Sequence, residues 1–165
     1  MAENDNRRPL ATRSAGWAKW LASALVRTNI SPNQISVLSV APAIAGAWLL
    51  MCPNALAASP WVLVLVVLCI QLRLLCNMLD GMVAIEGGKQ SSVGVLYNEI
   101  PDRVADSLFI VALGYAIGMP WLGWLGALLA AKTAYIRVLG GANGLAQDFR
   151  GPMAKQHRMA TMSLG

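Results

Sequence analysis

Apolar residues gather in four long runs along this chain, and the breaks between them are short. The first runs from Ile35 to Cys52, behind the start signal Ser31-Pro32. Proline suits a helix's first turn because the N–H it lacks would have no partner there. The second run starts near Trp61 and reaches about Asp80 or a little beyond. The third covers about Val93 to Ile117, and the fourth Trp121 to about Leu139. Each is close to the ~20 residues a helix needs to cross a ~30 Å hydrocarbon core. Pro42 lies inside the first run, which membrane helices tolerate. Pro101 falls in the first turns of the third and predicts a kink or a loosened backbone bond. Turns are predicted at Pro53-Asn54, at Gly87-Gly88-Lys89, at Gly118-Met119-Pro120, and where Gly140, Gly141, Asn143 and Gly144 break the last run.

The two ends of the chain follow other patterns. In residues 7–27, Leu10, Trp17, Leu21 and Leu25 recur at helical spacing beside Trp20, but Arg7, Arg8, Arg13, Lys19 and Arg27 interrupt them. That pattern predicts an amphipathic helix lying in the membrane interface rather than a span. The final stretch QDFRGPMAKQHRMATMSLG is basic and stops where a new apolar helix would begin. The fold class expected is therefore all-α and integral to the membrane. Residues 1–165 form one domain, with an interfacial helix, a bundle of four spans and the foot of a fifth.

Composition supports the membrane. Of the 165 residues 56% are hydrophobic and 13% charged, and mean hydropathy is +0.53. Soluble domains average about 25% charged residues. The net charge of +5 points to an anionic lipid surface and not to nucleic acid. Cys52, Cys69 and Cys76 have no metal-ligand spacing and read as small buried hydrophobes. The polar opening MAENDNRR and the basic residues after it argue against a cleavable signal peptide. The loops at 53–60 and 117–120 hold no Lys or Arg. The positive-inside rule then puts both termini and the Asp80–Asp102 cluster on the cytoplasmic side of a bacterial-type inner (plasma) membrane.

One polar stretch interrupts this apolar plan. Asn77 to Asp106 reads NMLDGMVAIEGGKQSSVGVLYNEIPDRVAD and holds Asp80, Glu86, Glu99, Asp102 and Asp106, five of the chain's eight acidic residues. Asn77 and Asp80 share a helix face, and Gly94, Asn98, Asp102 and Asp106 recur every fourth residue. Arg73, four residues before Asn77, belongs to the same face. Ionisable groups beside an apolar medium are costly and mark function by default. Carboxylates here can hold a hard divalent cation between protein and substrate phosphates. Gly81 after Asp80 lets a backbone approach a ligand. Lys89, Arg137, Arg150, Lys155 and Arg158 can neutralise phosphate oxygens from the same side. Metal-assisted phosphoryl chemistry on a lipid-linked substrate fits this set. For Glu86 and Lys89 the plainer reading is solvated loop charge.

The spacing resembles that of the CDP-alcohol phosphotransferases, whose motif is D-x2-D-G-x2-A-R-x8-G-x3-D-x3-D. Asp80, Gly81, Ala84, Gly94 and Asp102 match it in place. Asn77, Ile85 and Asn98 stand where the family has Asp, Arg and Asp. Pro32-Asn33-Gln34-Ile35-Ser36 is similar to the family's Pro-Asn-x-x-Thr element, and Gly151 to Arg158 resembles a looser form of its Gly-Lys-x-Lys-Thr element. The resemblance covers nearly the whole chain. It implies six spans, so the sequence is expected to be C-terminally incomplete. It also implies transfer of a phosphatidyl or substituted phosphate group from CDP-diacylglycerol or another CDP-alcohol to an alcohol in phospholipid biosynthesis, with release of CMP. One or two ions of Mg²⁺ or Mn²⁺ are implied, held by Asn77, Asp80, Asn98 and Asp102, with Asp102 as the catalytic base. Asn33, Ser36, Gly81, Ala84 and Gly94 are implied at the nucleotide, and Arg137, Lys155 and Arg158 at the acceptor phosphate. The lipid bilayer is a partner, nucleic acid is not, and a homodimer is left open. The Asn and Ile substitutions keep a second reading alive, a homologue that binds nucleotide or lipid as a scaffold without turnover. A carboxylate-relay transporter is disfavoured by the single His.

Overall fold

The computed structural model describes residues 15–54, 59–89, 91, 93–143 and 162–163. The regular elements among the described residues are all helices: α1 (Gly16–Val26), α2 (Pro32–Leu38), α3 (Val40–Met51), α4 (Trp61–Glu86), α5 (Gly94–Ala116) and α6 (Pro120–Ala142). Residues 7–14 of the expected interfacial helix, and the basic stretch 144–161, lie outside the described residues.

Local chemistry explains most of the boundaries. Ser31 caps α2 in a reciprocal box with Gln34, and Pro32 occupies the first turn. The rod Pro32–Met51 breaks at Ser39, between α2 and α3. Pro42 supplies the reason, since it offers no N–H to the Leu38 carbonyl and its ring crowds that group. The Ser39 hydroxyl, fully buried, donates instead to Ser36 O at 2.6 Å. Helix α5 continues through Pro101. At its end Gly118 takes φ +73°, Met119 N–H donates to Gly114 O at 2.8 Å, and Gly118 N–H donates to Tyr115 O at 3.1 Å. This is a Schellman closure, and Pro120 then opens α6.

Two apolar layers hold the bundle. Ala43, Ala47 and Leu50 of α3 pack with Val66 and Ile70 of α4 and Ala105, Phe109 and Ala112 of α5. Close approach there depends on Gly46, where an added Cβ would lie 2.6 Å from the Phe109 ring. The second layer joins Ala18 and Ala22 of α1 and Ile35 of α2 to Met78, Leu79, Met82 and Val83 of α4. Helix α6 lies antiparallel on α5 through Gly123, Ala127, Ala130 and Ala134. Small residues of this kind let backbones approach within a membrane. A Cβ on Gly114 would sit 2.6 Å from Gly123 Cα. Met162 packs beside the first layer, so the chain returns to α4 near its end.

Among the described residues three helical stretches are long and apolar enough to cross a membrane: Pro32–Met51, Trp61–Glu86 and Pro120–Ala142. Four spans were expected from the sequence. Helix α5 has the length, with 23 residues, but every 18-residue stretch of it contains Glu99, Asp102, Arg103 and Asp106. The protein is therefore a multi-pass membrane protein on three clear spans, with α5 packed among them. All six tryptophans are exposed. Trp48, Trp61, Trp121 and Trp124 sit at the uncharged-loop end, and Trp17 and Trp20 sit on α1 at the other. Two such groups are what the two interfaces of a bilayer select.

Candidate active site

Between the two apolar layers, α4 carries a polar one. Arg73 lies roughly 18 Å along α4 from Trp61, at ~1.5 Å per residue, and is fully buried. Its Nη2 donates to Asp106 Oδ1 at 2.7 Å, to Asp102 Oδ1 at 3.2 Å and to the Asp102 carbonyl at 3.2 Å. Asn77, one turn later, donates through Nδ2 to the same Asp102 Oδ1. Asp80, another turn on, is buried and accepts a hydrogen bond from Ser36 Oγ of α2 at 2.5 Å. The fourfold spacing of Asp102 and Asp106 on α5 presents both carboxylates to the one guanidinium. Arg73 Nε and Nη1 are also buried and have no hydrogen-bond partner among the described residues. A guanidinium so placed holds the two carboxylates in register, at the desolvation cost that buried ions carry.

Around this core the expected site residues divide. In the polar layer Ser36 meets Asp80 and Asn77 meets Asp102, with Asn77 and Asp80 three residues apart on α4. Gly81 and Ala84 follow on α4, half-buried. Asn33 donates to Ser91 Oγ at 3.4 Å, and its Oδ1 lies 4.0 Å from where a Cβ on Gly94 would stand. Asn33 and Gly94 are thus neighbours across 61 residues of sequence. A groove of about 470 Å³ opens beside them, lined by Ser31, Asn33, Gln34, Val37, Leu38 and Tyr97. Asn98 is exposed, one turn before Asp102. Arg137 pairs with Glu99 at 3.2 Å, and Glu99 also pairs with Arg103 at 3.1 Å. Lys155 and Arg158 lie outside the described residues.

Three arrangements escaped the sequence reading. Arg73 was placed on the polar face, but its double pairing with Asp102 and Asp106 was not foreseen. The signal was there, as a lone cation in an apolar run opposite carboxylates at every fourth position. Glu99 was read only as one of the five clustered acids, whereas it bridges Arg137 and Arg103. Lys89 is no loop charge. Its Nζ donates to the carbonyls of Val26, Thr28 and Ile30 at 3.3, 2.9 and 3.3 Å, and so closes the C-terminal end of α1. No spacing rule could have found partners that are main-chain carbonyls some sixty residues away.

The model of the CDP-alcohol phosphatidyltransferase family matches residues 29–164. The chain belongs to the CDP-alcohol phosphatidyltransferase family. No curated protein and no solved structure matches it. Membership implies CDP-alcohol phosphotransferase activity and a CDP-alcohol substrate, and the family is typically metal-dependent. The matched region takes in the whole polar layer and the groove.

The donors here do not fit the two-ion centre that the resemblance implies. Two of its four carboxylates are the amides Asn77 and Asn98, which offer a carbonyl oxygen but no charge. Asn98 is exposed, one turn before Asp102. Asp102 already takes a guanidinium and an amide on one oxygen. Among the described residues no group of three His, Cys, Asp or Glu side chains is arranged to hold a metal ion.

Proposed function

We propose that the protein transfers a phosphatidyl or other substituted phosphate group from a CDP-linked donor to an alcohol, releasing CMP, as a step of phospholipid biosynthesis. Asp102 is the base. The acceptor hydroxyl gives its proton to the Asp102 carboxylate as its oxygen bonds to the β-phosphorus. The bond from that phosphorus to the bridging oxygen breaks, and its electron pair leaves with CMP. Arg73 and Asn77 orient the carboxylate through their hydrogen bonds to its Oδ1. Ser36 fixes Asp80, one turn of α4 beyond Asn77. The donor's nucleotide lies along Asn33, Gly81, Ala84 and Gly94, where the backbone is open to close approach. Arg137, held by Glu99, marks the acceptor side, with Lys155 and Arg158 supplying further positive charge. The site opens to the cytoplasmic face, the side on which α1, the 87–93 turn and the basic residues gather.

The observation that carries this reading is the convergence of Asp80 and Asp102, the two motif carboxylates that remain, on one buried layer inside the matched family region. A scaffold that binds nucleotide or lipid without turnover is the second reading, and Asn77, Ile85 and Asn98 favour it. CMP release from CDP-diacylglycerol, compared between the natural chain and Asp102→Asn, tests the proposal.

A further inference from the structure

Arg73 occupies a place that a divalent cation would otherwise contest. The Asp102 and Asp106 carboxylates both converge on its Nη2, and the side chain has no exposure to solvent. Asn77, standing where the motif has an Asp, donates an N–H to Asp102 rather than offering it a second negative charge. A metal ion on Asp102 would either share Oδ1 with these two donors or take Oδ2, and in either place it would lie against a fixed positive charge. In a medium of low dielectric that repulsion is strong. The guanidinium cannot shed its charge to make room. Arg103 adds a second cation 3.8 Å from the other Asp102 oxygen.

We propose that Arg73 is the resident cation of this site. It holds the Asp102–Asp106 half of the carboxylate set closed to metal, so the chain binds at most one divalent ion, and that ion does not depend on Asp102. The proposal rests on the transferase reading only in treating the polar layer as the substrate site.

Mn²⁺ binding to the full chain in detergent, followed by the electron paramagnetic resonance of the free ion, tests it directly. The natural chain should take up no ion or one, and Asp102→Asn should change Mn²⁺ affinity by less than about threefold. The paired change Arg73→Gln with Asp106→Asn removes one charge of each sign, so the net charge of the layer is unchanged while Asp102 is released. It should tighten Mn²⁺ at least about tenfold or admit another ion, on the scale that partners of a metal ligand typically command. Adding Asp102→Asn to that variant should remove the gain. Two ions on the natural chain would overturn the proposal. So would loss of Mn²⁺ in Asp102→Asn, or a folded paired variant that binds Mn²⁺ like the natural chain. If the paired variant does not fold, the ion count on the natural chain and the Asp102→Asn comparison still decide. CMP release on the same preparations separates the two claims. Absent turnover with these ion counts as expected would sink the transferase reading and leave Arg73's role standing.

Discussion

Ser36 shows how one hydroxyl positions a buried charge. It comes from α2, forty-four residues before Asp80, and meets that carboxylate at 2.5 Å with both groups buried. A hydrogen bond to a charged group contributes about 1.5–3 kcal/mol, and a buried carboxylate deprived of one loses that stabilisation. Ser36→Ala should therefore destabilise the folded protein by about 1.5–3 kcal/mol in denaturant titrations in detergent. A loss below about 0.5 kcal/mol, the range of neutral surface changes, would show that Asp80 does not lean on Ser36. At this scale the sequence was informative where chemistry follows helical spacing. Asn77, Asp80 and Asp102 were legible because three- and four-residue steps define a face. Partners across elements were not, since the meeting of Ser36 with Asp80, or of Lys89 with the end of α1, depends on how helices pack.

Helices α5 and α6 meet through backbone rather than through interlocking side chains. Gly114 and Gly123 face each other so closely that either Cβ would fall about 3 Å or less from the opposing backbone. Gly114→Val should force the hairpin apart, and overpacking of this kind costs about 1–3 kcal/mol. Thermal unfolding in detergent should show the loss, whereas Gly140→Val, where a Cβ would meet open space, should cost markedly less. Equal losses would mean that the tight crossing is not what holds α6. Helix ends were the most legible feature of the elements, because Ser31-Pro32, Gly88 and Gly118-Met119-Pro120 carry their own capping chemistry. The break at Ser39 was not foreseen. Proline disturbs the turn before itself, so Pro42 acts three residues upstream of where it stands.

For the whole molecule, charge and tryptophan placement predict one orientation. The carbonyls closed by Lys89, the Asn33–Ser91 contact and the Arg137–Glu99 pair all lie at the end where Lys and Arg gather. Trp61 and Trp121 stand at the opposite end, next to loops without basic residues. In a background lacking Cys52, Cys69 and Cys76, Met119→Cys should react with an impermeant thiol reagent in intact cells. Asn143→Cys should react only after lysis. The reverse pattern would invert the orientation and place the polar layer's opening outside. The span count was the least legible global feature. Helix α5 has a span's length, but the acids that make it interesting also remove it from the apolar class, and burial against Arg73 is what lets it keep them.

Whether the polar layer turns substrate over is the central claim, and CMP release in liposomes containing CDP-diacylglycerol, across a panel of alcohols, tests it most directly. The natural chain should release CMP with at least one alcohol. Asp102→Asn, folded and inserted, should lower that release by about 10²–10⁴-fold, the usual contribution of a general base. A natural chain that releases no CMP with any alcohol, while Asn77→Asp combined with Asn98→Asp does, would contradict the account and make the protein a binding homologue that has lost its charge. Equal release by Asp102→Asn and the natural chain would show that Asp102 is not the base.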